Sequence, residues 1–212
     1  GYIETKHKKS IEKIKDRTDF KTYEQVEKLS EFAGVLAPDT ILIDIDNSEA
    51  SDILFNIVAD KNIKCRVYET SRGKHFYFKN NSWKTNKTNT NLAIGIKADI
   101  KLGRRNSYGV LKYGGKLRQI LRDADELQEI PKWLLPVNNK VDFTNMEVGD
   151  GRNQELFNYI LTLQSHDFEI EEARETIRMI NKYVLVDPLS KNELETILRD
   201  EAFTKPIFFK DG

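Results

Sequence analysis

The residues best suited to chemistry are two aspartates that close an apolar run at residues 41–46 (ILIDID). Side chains alternate across a β-strand, so Asp44 and Asp46 point to the same side, roughly 7 Å apart along the strand. Two carboxylates held this close repel each other unless a cation lies between them, and their oxygens suit Mg²⁺ or Mn²⁺. The alternative is structural: the strand end leads into a helix whose N-cap is Asp46 or Asn47.

Two further segments carry groups that complement these aspartates. Residues 71–75 (SRGKH) have the pattern of a turn that leads into a strand, and His75 suits phosphate contact, general-base chemistry or simply the start of that strand. Asp99 is a lone acid in an otherwise basic strand region. If the strand of Asp99 neighbours that of Asp44 and Asp46, three carboxylates could hold two divalent cations, as two-metal phosphoryl transfer requires.

The formal net charge of zero hides a strong asymmetry along the chain. Residues 61–122 contain sixteen Lys or Arg and only two acids, whereas residues 123–203 contain eighteen acids and eight Lys or Arg. Aromatic residues are interleaved with the basic ones, which is the composition of a surface that binds phosphates or nucleic acid. The positive charge nearest the motifs comes from Arg72, Lys74, Lys101, Arg104 and Arg105.

The bulk composition limits the class of protein. The 212 residues are enough for one sizeable core or two small ones. No apolar run approaches the length of a membrane span and no secretory pattern is present, so we expect a cytoplasmic protein. The single cysteine, Cys65, excludes an intrachain disulfide and any multi-cysteine zinc or iron–sulfur site.

The hydrophobic periodicity predicts a mixed α+β domain over residues 1–136, a polar linker over 137–150 and a helical domain over 151–212. In the first domain we expect helices at 22–33 and 47–60, a short helix at 133–135, and strands at 41–46, 65–70, 74–79, 92–102, 108–113 and 117–121. Residues 1–20 are expected to be frayed or at an edge, and residues 80–91 to form a loop. Three helices are predicted in the second domain, beginning near Gln154, Ile170 and Ser190.

The ordered set of motifs resembles that of archaeo-eukaryotic-type primases: two acids separated by one residue, then a small residue shortly before a histidine, then an aspartate after a hydrophobic residue. The chain is most similar to the primase–polymerase branch of phages and plasmids, over residues from about 35 to 203. The resemblance implies a catalytic domain built around an RRM-like mixed sheet, followed by a small all-helical primase C-terminal domain. It also implies that a helicase domain follows in the full-length protein.

The implied activity is that of a DNA primase–polymerase, which makes and extends primers on single-stranded DNA from NTPs or dNTPs. The resemblance implies catalytic roles for Asp44, Asp46, Asp99 and His75, with the three aspartates holding two Mg²⁺ or Mn²⁺ ions and no zinc. On this hypothesis the nucleotide contacts Ser71, Arg72, Lys74, His75, Lys101 and Arg104. The nucleic acid contacts Arg105, Lys112, Lys116 and Arg118.

Two other functions stay open at the level of sequence. A metal-dependent nuclease would use a cluster of acids with a lysine, and Asp46, Glu69 and Lys74 are candidates. A noncatalytic DNA-binding replication module would keep the basic stretch, while its aspartates would be structural and bind no metal.

Overall fold

The computed structural model describes residues 1–203, apart from the side chain of Arg104. The protein has an α+β fold with two antiparallel sheets. The chain divides into two compact units, one formed by Gly1–Thr90 and Ala98–Ile130 and the other by Asn91–Lys97 and the residues from Pro131 onward. The second unit therefore begins before the expected linker at 137–150 and includes a short segment from within the predicted first domain.

The strands and helices follow one another in an irregular order along the chain. In chain order the strands are β1 (Tyr2–Lys6), β2 (Lys9–Ser10), β3 (Phe32–Val35), β4 (Thr40–Ile45), β5 (Arg66–Glu69), β6 (Lys74–Lys79), β7 (Lys87–Asn91), β8 (Lys97–Leu102), β9 (Tyr108–Tyr113), β10 (Lys116–Leu117) and β11 (Ile120–Arg122). The helices are α1 (Tyr23–Val26), α2 (Ser48–Asp60), α3 (Arg152–Ser165), α4 (Ile170–Met179) and α5 (Lys191–Ile197), with short 3₁₀ or π turns between several of them.

The larger sheet has six strands in the order β11-β5-β6-β4-β8-β7. Its strand β4 is the predicted apolar run, with Ile41, Leu42, Ile43 and Ile45 fully or almost fully buried. Helix α2 buries Leu54 and Ile57, and it connects β4 to β5, while β6 lies between these two strands. The opposite face of β4 carries Thr40, the buried Leu42 and Asp44.

The predicted strand-to-helix connection after β4 is confirmed. The side chain of Asn47 accepts a hydrogen bond of 2.8 Å from the backbone N–H of Ala50, which makes Asn47 the N-cap of α2. The cap therefore falls on the asparagine, and the carboxylate of Asp46 stays outside the helix.

The smaller sheet has five strands in the order β10-β9-β3-β1-β2. It contradicts the helix predicted over residues 22–33, because α1 covers only Tyr23–Val26 and Phe32–Val35 forms β3. The capping box of Thr22 and Gln25 is present, but the residues that follow gain more from pairing with β1 and β9 than from continuing the helix. The N-terminal segment, expected to be frayed or at an edge, forms β1 and β2: β1 pairs on both sides and buries Ile3, and β2 is an edge strand of this sheet.

Two further predictions need correction. Residues 80–91 are not all loop, because β7 forms an edge of the larger sheet at Lys87–Asn91. The strand predicted at 117–121 is divided: β10 completes a hairpin with β9, and β11 crosses to the larger sheet and pairs with β5. The chain crosses between the sheets within two residues, Arg118 and Gln119.

The second unit contains α3, α4 and α5 together with the segment Asn91–Lys97. The hydroxyl of Tyr159 on α3 donates a hydrogen bond of 2.7 Å to the carbonyl of Ala93, which ties that segment to the helix. The predicted capping box of Ser190 and Glu193 begins α5. Within residues 1–203, none of the helices has the length and apolar character needed to cross a membrane.

Candidate active site

Three side chains from three adjacent strands form a row across the larger sheet. In the antiparallel register, Asp44 on β4 lies opposite His75 on β6 and opposite Asp99 on β8. Directly opposed residues in an antiparallel sheet project from the same face, so all three belong to the face that α2 leaves open. The hypothesis of a three-carboxylate site requires the strand of Asp99 to lie next to the strand of Asp44, and the register shows that β8 and β4 are adjacent.

Asp44 is the most enclosed carboxylate of the row, with 11% of its side chain exposed. Lys101, also on β8, places Nζ 2.7 Å from Asp44 Oδ2. His75 Nε2 faces Asp44 Oδ1 at 3.2 Å, a polar contact that helps to lower the pKa of the carboxyl, and no described residue makes a well-formed hydrogen bond to this oxygen. Burial alone would raise the pKa of Asp44, but the contacts with His75 and Lys101 outweigh it and hold the pKa well below the usual aspartate range.

His75 is almost fully buried, and its main neighbour besides Asp44 is an arginine. Arg118 Nη1 lies 3.1 Å from Nδ1 and 3.3 Å from Nε2 of the imidazole. Burial lowers the pKa of His75 and outweighs the opposing effect of Asp44, while the charge of Arg118 lowers it further. The imidazole is therefore neutral near pH 7 and offers a lone pair rather than a positive charge. Burial also lowers the pKa of the Arg118 guanidinium.

The second aspartate of the pair, Asp46, is directly beyond β4 and more than half exposed. It forms an ion pair with Arg72 from the turn between β5 and β6. That turn packs tightly against β4, because a Cβ at Gly73 would overlap the carbonyl oxygen of Ile45. Glycine at this position thus brings Arg72 next to Asp46.

A pocket of about 410 Å³ opens over Asp44 and His75, with walls from both sheets of the first unit, and Asp99 is not among its lining residues. The larger sheet and its connecting turns contribute Asp44, Asp46, Ser71, Arg72, His75 and Lys101. The smaller sheet contributes Tyr108 and Val110 of β9. Strand β9 passes close above β6, since a Cβ at Gly109 would overlap the hydroxyl of Tyr77.

One predicted nucleotide-binding residue is not brought to this pocket. Lys74 immediately precedes His75, so strand alternation turns it to the other face of the sheet. There its Nζ lies 3.3 Å from Ser51 Oγ and forms an ion pair with Asp52, both on α2. The prediction that Lys74 binds the nucleotide is therefore wrong for this structure. The side chain of Lys74 instead joins β6 to α2.

The other predicted binding residues are spread more widely. Arg105 lines the pocket and donates a hydrogen bond of 3.0 Å to the carbonyl of Lys84. Lys112 Nζ donates one of 2.7 Å to the carbonyl of Glu27, and Lys116 is exposed on β10. Arg118, expected on the nucleic-acid surface, lies in the pocket itself. The side chain of Arg104 is outside the described part of the chain.

Several residues that line the pocket were not predicted as site residues, because no sequence pattern marks them. Lys8 comes from a segment expected to be peripheral, and Asn86 and Ser107 come from segments read as connections. Their positions depend on pairings between strands far apart in the chain, so no local pattern could have identified them. The charge asymmetry was the one useful signal, because it located the basic stretch from which Lys101, Arg105 and Arg118 come.

The carboxylates of the site have the donor chemistry of a site for Mg²⁺ or Mn²⁺. Asp44 Oδ1 is a buried acceptor that receives no hydrogen bond from the described residues, and Asp46 follows it on the same face. Asp99 lies one strand away, where its Oδ1 accepts a hydrogen bond of 2.7 Å from the backbone N–H of Asn89. As placed, no three His, Cys, Asp or Glu side chains in residues 1–203 form a group that could hold a metal ion.

Comparison of the chain with protein-family models, with curated proteins and with solved structures gives no match. Function is therefore inferred from the chain's own residues.

Proposed function

We propose that the protein is a DNA primase–polymerase, a template-dependent nucleotidyltransferase that makes and extends primers on single-stranded DNA. The observation that carries the proposal is the row of His75, Asp44 and Asp99 across three strands, next to a pocket that is rich in cations and is lined by His75, Asp44 and Asp46. Phosphoryl transfer needs carboxylates that hold divalent ions next to positive groups that hold phosphates.

The strand order supports an RRM-like catalytic sheet. The four strands β8-β4-β6-β5 are mutually antiparallel neighbours, and α2 connects β4 to β5 across β6, which is the split βαβ arrangement of such sheets. The helices α3 to α5 would form the small helical domain that follows the catalytic domain in primase–polymerases of phages and plasmids.

In the proposed reaction, the 3′-hydroxyl of the primer or initiating nucleotide attacks the α-phosphate of an incoming NTP or dNTP, and pyrophosphate leaves. Asp44, Asp46 and Asp99 would hold two Mg²⁺ or Mn²⁺ ions, which when bound activate the attacking oxygen and neutralise charge on the leaving group. Neutral His75 would contact a phosphate oxygen through an N–H of its ring. Arg118, directly against His75, would add the positive charge.

Two of the cations would change partners when the ligands bind. Lys101 and Arg72 neutralise Asp44 and Asp46 in this structure. Divalent ions on these carboxylates would release Lys101 and Arg72 to the nucleotide phosphates. The existing ion pairs would thus keep the carboxylate pair stable until metal and nucleotide arrive together.

The remaining partners follow from the same proposal. Single-stranded DNA would run along the basic surface that includes Arg105, Lys112 and Lys116, with affinity that falls steeply as salt rises. A helicase domain would follow in the full-length protein, and the protein would act in the cytoplasm of the host cell.

The decisive experiment is primer synthesis and extension on single-stranded DNA with Mn²⁺ or Mg²⁺, for wild type and for Asp44→Asn. We expect the variant to lose roughly a hundredfold or more of the activity. Asp52→Asn is the matched control, since Asp52 pairs with Lys74 on the opposite face of the sheet and should leave the activity nearly unchanged. Full activity in Asp44→Asn, or none in the wild type, would contradict the proposal.

A noncatalytic DNA-binding module is the second candidate, and one observation favours it. Both carboxylates of the pair already have cationic partners, Lys101 and Arg72, so the pair is neutralised without metal. Titration with Mn²⁺ separates the two functions, because only the enzyme binds it at Asp44 and Asp46. The nuclease alternative is weakened, since its Lys74 faces α2 and not Asp46.

A further inference from the structure

The N-terminal hairpin formed by β1 and β2 contributes to the rim of the pocket. This hairpin precedes the region that resembles primases, and its turn residues His7 and Lys8 have left-handed backbone conformations, with φ of 51° and 66°. Positive φ at both central residues is the geometry of a two-residue hairpin turn, and the pairing of Lys6 with Lys9 makes His7 and Lys8 those two residues. The side chain of Lys8 lines the pocket.

The turn is held in place by contacts from distant parts of the chain. The hydroxyl of Tyr108 accepts a hydrogen bond of 3.1 Å from the backbone N–H of Ser10 and lies 3.4 Å from the carbonyl oxygen of Lys8, to which it donates. Glu31 accepts a hydrogen bond of 3.2 Å from the backbone N–H of Lys8. These bonds fix the backbone and leave the ammonium group directed elsewhere.

The ammonium of Lys8 meets the turn that precedes His75. Its Nζ lies 3.4 Å from Ser71 Oγ and 4.8 Å from the centre of the Tyr113 ring. A serine hydroxyl and an aromatic face are weak partners for a full positive charge. Lys8 thus carries a charge at the pocket that its protein contacts do not neutralise.

The charges that line the pocket are unequal. The lining contains two carboxylates, Asp44 and Asp46, and five cations, Lys8, Arg72, Lys101, Arg105 and Arg118. Arg72 and Lys101 form ion pairs with the two carboxylates. Among the residues that the structure describes, none places a carboxylate within ion-pair distance of the other three cations. The pocket therefore has an excess of three positive charges, which favours an anion with several negative charges.

We infer that Lys8 binds the triphosphate of the incoming nucleotide, together with Arg118 and Arg105, and that the N-terminal hairpin is therefore part of the active site. The inference rests on the proposed function for the identity of the nucleotide. A triphosphate fits better than a nucleic-acid backbone, because the pocket has the volume of a small-molecule site and Lys8 lies next to the turn that carries Arg72.

The test uses inorganic tripolyphosphate, which probes the anion site without catalysis or base pairing. We expect Lys8→Met to weaken its binding roughly tenfold in calorimetry at low salt, because one charged contact is lost, and Lys8→Arg to keep most of the affinity. Lys9→Met is the matched control, since Lys9 is exposed on β2 and does not line the pocket. Thermal unfolding of each variant confirms that the hairpin still folds, and Lys8→Asn, which also tolerates a left-handed backbone, replaces Lys8→Met if it does not.

The outcomes separate this inference from the proposed function. Wild-type protein that does not bind tripolyphosphate, or equal binding by wild type and Lys8→Met, overturns the inference even if primers are made. Weaker binding of single-stranded DNA by Lys8→Met, with unchanged tripolyphosphate binding, overturns it too. A Lys8-dependent loss of tripolyphosphate binding in a protein that makes no primers supports the anion site and contradicts the primase proposal.

Discussion

Asp44 and Asp99 lie directly opposite each other on β4 and β8, with their side chains on the same face of the sheet. Like charges in directly opposed positions destabilise a sheet. Lys101 on the same strand as Asp99 reduces this cost by pairing with Asp44. The position is therefore tolerated in the free protein, and on the proposed function a divalent cation between the two strands would make it favourable.

Because Asp99 lies directly opposite Asp44, we expect Asp99→Asn to increase the stability of the metal-free protein and to weaken its binding of Mn²⁺. Removing one of two opposed charges should stabilise the metal-free protein by about 0.5 kcal/mol. The same variant should lose the increase in melting temperature that Mn²⁺ gives the wild type. Melting curves with and without Mn²⁺ test both effects, and equal stabilisation of wild type and variant by Mn²⁺ would remove Asp99 from the metal site.

The low pKa of Asp44 predicts a pH-dependent contribution to stability. Because folding lowers this pKa, the ionised carboxylate stabilises the folded state fully above the pKa of the unfolded chain, near 4, and loses this contribution as the pH falls toward the folded value. Asp44→Asn should therefore cost about 1–3 kcal/mol at pH 7 and distinctly less at pH 3. Urea unfolding at both pH values measures the difference. A cost that does not change with pH would contradict the assigned contacts with Lys101 and His75.

The contact between Arg118 and His75 predicts a shift in the titration of the imidazole. The charge of Arg118 helps to lower the pKa of His75, so Arg118→Gln should raise this pKa, although burial still keeps it low. Arg105→Gln is the matched control, because Arg105 lines the same pocket and contacts the carbonyl of Lys84 instead. NMR titration of the histidine ring measures the change. An unchanged pKa in Arg118→Gln would show that the guanidinium does not lie against the ring in solution.

The close approach of β9 to β6 predicts a specific pair of variants. Gly109→Ala would place a methyl group against the hydroxyl of Tyr77, so we expect a loss of about 1–3 kcal/mol. Tyr77→Phe removes that oxygen, and the double variant should recover about half of the loss. Denaturant unfolding of the single and double variants gives the coupling energy. Strictly additive effects would mean that the two strands are further apart than in this structure.

The parts of the fold that follow from local pattern could be predicted from the sequence. The apolar run of β4, the N-cap of α2 and the capping box of α5 each involve residues within a few positions of one another. The helix expected over residues 22–33 was wrong because Phe32–Val35 finds its partners in β1 and in β9, far along the chain. Local propensity gives no information on such pairings.

The candidate site was predictable to a similar extent. The sequence identified Asp44, Asp46, Asp99 and His75, and the strand register brings the first, third and fourth into one row. The orientation of Lys74 could have been predicted from strand alternation alone, since a residue next to His75 in a strand must face the other side of the sheet. The position of Lys8 at the pocket could not be predicted from the sequence, because it depends on a hydrogen bond between Ser10 and Tyr108, which are 98 positions apart.

The short crossing between the sheets has a mechanical consequence. The backbone N–H of Arg118 bonds to Leu111 of β9 at 2.8 Å, and the carbonyl of the next residue, Gln119, accepts from Glu69 of β5 at 2.9 Å. Neighbouring residues are thus fastened to different sheets, and one residue of extended chain spans only about 3.5 Å. The sheets therefore have no slack at this crossing, and Arg118, whose side chain contacts His75, is fixed to both of them through its own backbone and that of its neighbour.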